Sequence, residues 1–193
     1  MTKPDEPTQE ELIKIRDALF QAVGNVASSW AAHEHVIDRS IWLLGSLSHK
    51  EGACITAQLV GLMPRMRALI ALVRLKCDDE ALATALNTFT TEAVELSQRR
   101  NRIVHDPWFY NVADKEPTRL QVTADRRLYF DYKTGKMDEI RAVSNRIAKA
   151  TTRFQDLMKR AHAARSSSTK KRLELKMGKP LDYRLPDSEP EGR

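Results

Sequence analysis

Leu12, Ile15, Leu19, Val23, Val26, Trp30, Ile37, Ile41 and Leu44 recur at three- and four-residue steps, and only a long α-helix turns such a series to one side. His33 fills the single gap in the stripe. Thr8 followed by Glu11, with Pro7 just outside, is a capping box that starts the helix near Gln9. The phase survives Gly24, so one helix is expected from about Gln9 to Leu47. Gly24 costs it about 1 kcal/mol relative to alanine and marks a place for a bend. Gly45 and the Ser-His-Lys-Glu-Gly run end it.

Three more helical segments follow. Ala53 to Lys76 turns Leu59, Met63, Met66, Leu69, Ile70 and Val73 inward, and Pro64 makes it either a kinked helix or a short helix followed by one starting near Met63. Asp78, Asp79 and Glu80 suit a helix N-terminus through the macrodipole. The helix they open carries Leu82, Leu86, Phe89, Ala93 and Leu96 and must end by Pro107. The period then changes: Arg119 to Thr123 and Arg127 to Tyr132 alternate apolar with polar, which predicts a β-hairpin at about 118–133 pairing Leu120 to Val122 with Leu128 to Tyr132. Trp108 to Val112 offers a further short strand. After Gly135, the residues Ile140, Val143, Ile147, Ala150, Phe154, Leu157 and Ala161 predict the last long helix, closed by Ser166-Ser-Ser-Thr.

The expected fold is therefore all-α, an antiparallel helical bundle with a small β-hairpin inserted before the last long helix. Residues 1–8 form an N-terminal extension, 9–165 the bundle domain and 166–193 a disordered tail of basic and mixed charge containing Pro180, Pro186 and Pro190. A chain of 193 residues suffices for one well-packed domain, burying roughly 70% of its unfolded surface. Cys54 and Cys77 lack metal or redox spacing and read as buried apolar residues in a reducing compartment. The N-terminus has no apolar signal-peptide core, and the most apolar window, Leu69 to Leu75, is bracketed by Arg65, Arg67, Arg74 and Lys76, so a cytoplasmic protein without a membrane partner is expected.

A formal charge of +6 favours polyanionic partners. Much of it lies in the run Lys159, Arg160, Arg165, Lys170, Lys171, Arg172 and Lys176, which is equally a solvated helix end. Gly178-Lys179-Pro180 lacks the preceding glycine and the Ser/Thr of a P-loop, and no serine or cysteine nucleophile motif occurs. His33-Glu34-His35 with Asp38 scatters around its helix, so no metal or cofactor is expected there, and Glu34 and Asp38 suit structural roles.

The sharpest feature is Arg100-Asn101-Arg102-Ile103-Val104-His105. Arg100 falls in the apolar register of Phe89, Ala93 and Leu96, so it points to a seam where its charge must be paired or bound to an anion. One reading is a structural salt bridge to Glu34 or Asp38. His105 lies ~140° around an ideal helix from Arg100, and unwinding before Pro107 would swing it back.

Arginine, a polar residue and then histidine at the end of a helix in a small helical bundle resembles the signature of the HEPN superfamily, with Arg100, Asn101 and His105 at the matching positions. The resemblance covers the motif and the helical layout from about Gln9 to Ala163. It implies a homodimer with the two motifs facing each other, and a metal-independent endoribonuclease of the toxin or abortive-infection kind with an antitoxin or regulatory protein as partner. Other members are noncatalytic and bind nucleic acid or protein, which is the alternative here. The hairpin and the basic tail depart from the simplest members.

The residues themselves suit RNA cleavage. A neutral imidazole at 105, of a type that titrates near pH 6.5, accepts the 2′-hydroxyl proton, and Arg100 holds the phosphate oxygens. Asn101 orients the phosphate or His105, and Arg99 and Arg102 bind flanking RNA backbone, the alternative for Asn101 and Arg102 being ordinary helix-surface positions. Surplus apolar residues, Trp30, Trp42, Met63 and Met66, also point to a homodimer, although each taken singly reads as core packing.

Overall fold

In the computed structural model, which describes residues 7–111, 116–125 and 127–175, five helices carry a three-stranded antiparallel sheet. Helix α1 (Gln9–Gly45) is unbroken through Gly24, and its capping box is the expected one: Thr8 Oγ1 accepts from the Glu11 amide while the Glu11 carboxylate accepts from the Thr8 amide. Ser48 and Glu51 repeat the device at the start of α2 (His49–Thr56). The region around Pro64 takes the second of its two options, with a separate α3 (Leu62–Cys77). Proline there occupies the first turn, where its missing amide costs no helical hydrogen bond. Helix α4 (Glu80–His105) is capped by Asp79, whose carboxylate accepts from the Leu82 amide at 2.8 Å.

Strand β1 (Trp108–Asn111) pairs with β2 (Glu116–Asp125), and β2 with β3 (Arg127–Thr134), in the order β1-β2-β3. The register sets Leu120 opposite Tyr132 and Val122 opposite Phe130, so the hairpin pairs as the alternation predicts and gains a third strand at its edge. Val112, the expected end of that strand, lies outside the described residues. Helix α5 (Met137–Leu175) continues past the Ser166-Ser-Ser-Thr run expected to close it. Serine is only a few tenths of a kcal/mol worse than alanine in a helix, and the Lys-Lys-Arg-Leu-Glu-Leu that follows restores the propensity. Residues 166–175 of the tail expected at 166–193 are therefore helical, and the rest of it, 176–193, lies outside the described residues, as do residues 1–6 of the extension expected at 1–8.

One buried cluster unites the helices: Trp30, Ile37 and Leu44 of α1, Met66 and Leu69 of α3, Leu82, Leu86 and Leu96 of α4, and Ile147 and Phe154 of α5. Helix α4 runs antiparallel to α1, bringing Arg100 beside Trp30 and Phe89 beside His33. Helices α1 and α5 instead run in the same direction, because their contacts ascend together from Ser29–Ser144 to His33–Thr151 to Leu43–Arg165. The bundle is thus not antiparallel throughout. Helix α4 packs against both and runs antiparallel to both, Phe89 meeting His33 and Phe154 and Glu92 meeting Arg153.

Two inward assignments fail for a shared reason. Helix α2 turns only Gly52 and Thr56 inward, since Gly52 lies against the Trp42 ring, and this leaves Cys54 exposed. Helix α3 buries Leu62 and Met66, and Met63, one position along from Leu62, turns outward. Cys77 is buried as expected, its thiol donating to the Ala161 carbonyl. Among the described residues no helix is long and apolar enough to cross a membrane.

Candidate functional site

The end of α4 carries the site. Asp106 takes extended backbone (φ −74°, ψ 141°), as the residue before a proline should, and so ends the helix directly after His105. His105 itself is still helical, so the unwinding expected to swing it toward Arg100 does not occur. The long arginine side chain closes the gap instead. Arg100 Nη1 lies 3.5 Å from His105 Nε2 and donates to Asn101 Oδ1 at 2.8 Å. The three residues of the motif thus converge at one helix end.

Arg100 also enters the α1–α4 seam that its register predicts. Its guanidinium carbon lies 6.0 Å from the centroid of the buried Trp30 ring, a cation–π distance, and its Nε is buried without a hydrogen-bond partner. The salt bridge to Glu34 or Asp38 is not formed. Both carboxylates go to Arg65 of α3, Asp38 Oδ1 at 2.8 Å from Nε and Glu34 Oε1 at 3.5 Å from Nη1. Burial pushes the Asp38 carboxyl above its ordinary range despite that arginine. Helix α3 comes closer to this face of α1 than does the end of α4, which is why the partner changes. Arg100 is left with a neutral amide, an imidazole and an indole face.

His105 and Asn101 are exposed and line an open depression of about 600 Å³ together with Gln98, Arg99, Arg102 and Asp106. Arg102 leans away, donating to the Val122 carbonyl at 3.2 Å and to Asp106 Oδ1 at 3.4 Å. Asp106 Oδ2 accepts from Arg119 of β2 at 2.9 Å. Asp106 enters the sequence pattern only as part of the helix stop, yet it ties the sheet to the helix end. Its signal in the sequence was its place between His105 and Pro107, where the chain must turn.

Trp108 sets the angle at which the sheet leaves the helix. Its Nε1 donates to the Ile103 carbonyl at 2.8 Å, and its ring covers Gly135, where an added Cβ would fall 2.3 Å from Cζ3. Gly135→Ala should therefore destabilise the protein by about 2 kcal/mol, as overpacking does. Urea unfolding checks this, and an unchanged midpoint would mean that the indole is free to move.

Of the histidines near α1's polar run, His33 is only 1% exposed and serves the core. Thr151 Oγ1 lies 2.9 Å from its Nδ1 and donates its own hydrogen to the Ile147 carbonyl, so Nδ1 carries the proton and Nε2 is a sealed acceptor without a partner. Burial pulls its pKa down to about 4.

Set beside known proteins, the chain matches no family model, no curated protein and no solved structure.

Proposed function

We propose that this chain is a HEPN-like endoribonuclease that works as a homodimer without metal, with His105 as general base and Arg100 as phosphate clamp. The observation that carries the reading is the approach of Arg100 Nη1 to Nε2 of His105, a histidine that lines an open depression, with no carboxylate on the arginine. A neutral imidazole has one ring-nitrogen lone pair, so His105 serves as base once bound RNA displaces Arg100 Nη1 from Nε2. Nη2, for which no protein partner is described, is the donor left for a phosphate oxygen.

The reaction balances with these groups alone. His105 takes the proton of an RNA 2′-hydroxyl, and the freed oxygen attacks the adjacent phosphorus. The bond from phosphorus to the 5′-oxygen breaks, and that oxygen takes a proton from water. A 2′,3′-cyclic phosphate and a 5′-hydroxyl remain. Arg100 stabilises the charge that grows on the phosphate oxygens, and Asn101 holds Arg100 in place.

Purified wild type and His105→Ala, incubated with a mixed RNA pool in EDTA, test this directly: wild type should leave cyclic-phosphate ends and the variant should not. Sedimentation at micromolar concentration should show twice the 22.0 kDa chain mass. A clean monomer across that range would remove the two-fold arrangement that brings the ends of two α4 helices together.

The noncatalytic binding module has its own support. One face of the sheet exposes Phe109, Val122, Leu128, Phe130 and Tyr132, more apolar surface than a cleavage site needs. Absence of cleavage by active-concentration wild type would favour it.

A further inference from the structure

Beside the His105 depression lies a second cleft of about 370 Å³. Its cations come from four separate places in the chain: Arg99 and Arg102 on α4, Arg119 on β2, Lys136 at the turn before α5, and Arg146 on α5, with Trp108 between them. Glu139 is the one carboxylate among the described lining residues. Asp106, which lines the His105 depression, is shared by Arg102 and Arg119. Arg99, Lys136 and Arg146 have no ion pair among the described residues. Arg146 feels Glu92, but Arg153 already holds that carboxylate at 2.6 Å.

Five cations brought together against one lining carboxylate and one shared in the adjoining depression repel each other, and the repulsion is relieved by an anion in the cleft. Arg99 and Arg102 line both depressions, so the cationic surface is continuous from His105 to Arg146. A single phosphate or mononucleotide would fill one depression only. A strand with successive phosphates would use both. The aromatic sheet face lies on the other side of the sheet, because Trp108 and Arg119 are opposite each other in the register and Phe109 and Thr118 point the other way.

We infer that this cleft holds the phosphates of a single-stranded nucleic acid next to the linkage placed at His105. The position of the cut rests on the proposed nuclease reading, whereas strand binding does not. The sheet insertion thereby becomes part of the binding surface, supplying Arg119 and shaping the turn that presents Lys136.

The test uses a fluorescent twelve-nucleotide RNA with every 2′-oxygen methylated, which cannot be cut by transesterification, and reads its anisotropy against full-length protein over a range of KCl. K136E/R146E should bind it at least about tenfold more weakly, and the slope of log affinity against log salt should shrink by about 1.4, the loss of two phosphate contacts on a single strand. K159E/R160E makes the same charge change farther along α5 and should stay near wild type. Circular dichroism confirms the fold of both variants. Equal weakening by the two variants would reduce the effect to net charge and overturn the cleft, as would wild-type affinity in K136E/R146E. Adenosine 5′-monophosphate that competes as tightly as the strand would overturn the strand in favour of a free nucleotide.

Cleavage of unmodified RNA separates the two readings. Unchanged KM in K136E/R146E overturns the cleft and leaves the nuclease standing. Strand binding that depends on Lys136 and Arg146, without any cleavage, upholds the cleft and removes the nuclease.

Discussion

His105→Ala should lower cleavage of RNA in EDTA by about 100-fold or more, the scale of a lost acid/base group, while helicity and oligomeric state persist. His105 is exposed at the end of α4, and its one described hydrogen bond is to Arg100, so its removal leaves the core untouched. Arg100→Ala should cost as much again, for a different reason: the phosphate loses its clamp. Arg100→Lys should recover little, because a lysine cannot donate to Asn101 and His105 and still offer a planar second nitrogen to phosphate. DNA of the same sequence should be inert, since it lacks the 2′-hydroxyl. Equal rates for wild type and His105→Ala would assign the cleavage to a contaminating nuclease.

A second large effect belongs to the core. His33 has a folded pKa of about 4, well below the ~6.5 of an unfolded histidine, because protonation would put a charge on a sealed Nε2 facing Trp30, Phe89 and Phe154. Between these values the unfolded chain binds the proton and the folded chain does not. Stability from this group is thus full above pH 6.5 and falls as pH drops toward 4, by about 3 kcal/mol in all. Urea melts of wild type and His33→Leu at pH 7 and pH 4.5 isolate the effect. Wild type should lose most of that amount relative to the variant, whose leucine carries no proton. Parallel losses in the two proteins would show that the site opens to water without cost.

These two histidines also show how far a sequence of this kind can be read. His33 was legible because it filled a gap in a helical stripe, and burial follows from that position alone. The placement of Arg100 in a seam was legible for the same reason. Its partner was not, since Glu34 and Asp38 are equally spaced for an arginine from either neighbouring helix, and the packing of α3 against α1 decided for Arg65. The convergence of Arg100 and His105 came from side-chain length and not from the helix unwinding that proline suggested. Cys54 and Met63 are apolar but sit one or two positions off the inward face of their helices, which Gly52 and Thr56 define in α2 and Leu62 and Met66 in α3. Arg119, Lys136 and Arg146 were invisible as a group, being separated in sequence and joined only by the angle between sheet and helices. Arg146 alone left a trace, three residues after the inward-facing Val143.

The shared direction of α1 and α5 has a consequence for the chain while it is being made. The first helix leaves the ribosome with its stripe complete, but residues that cover much of it, such as Thr151 over His33, follow 118 positions later. At roughly 5–20 residues per second that stripe waits on the order of ten seconds without its final cover. Until then α3 and α4 can shield only part of it. Nascent chains stalled before Ile140 should therefore recruit chaperones that a chain extended past Ala161 no longer needs.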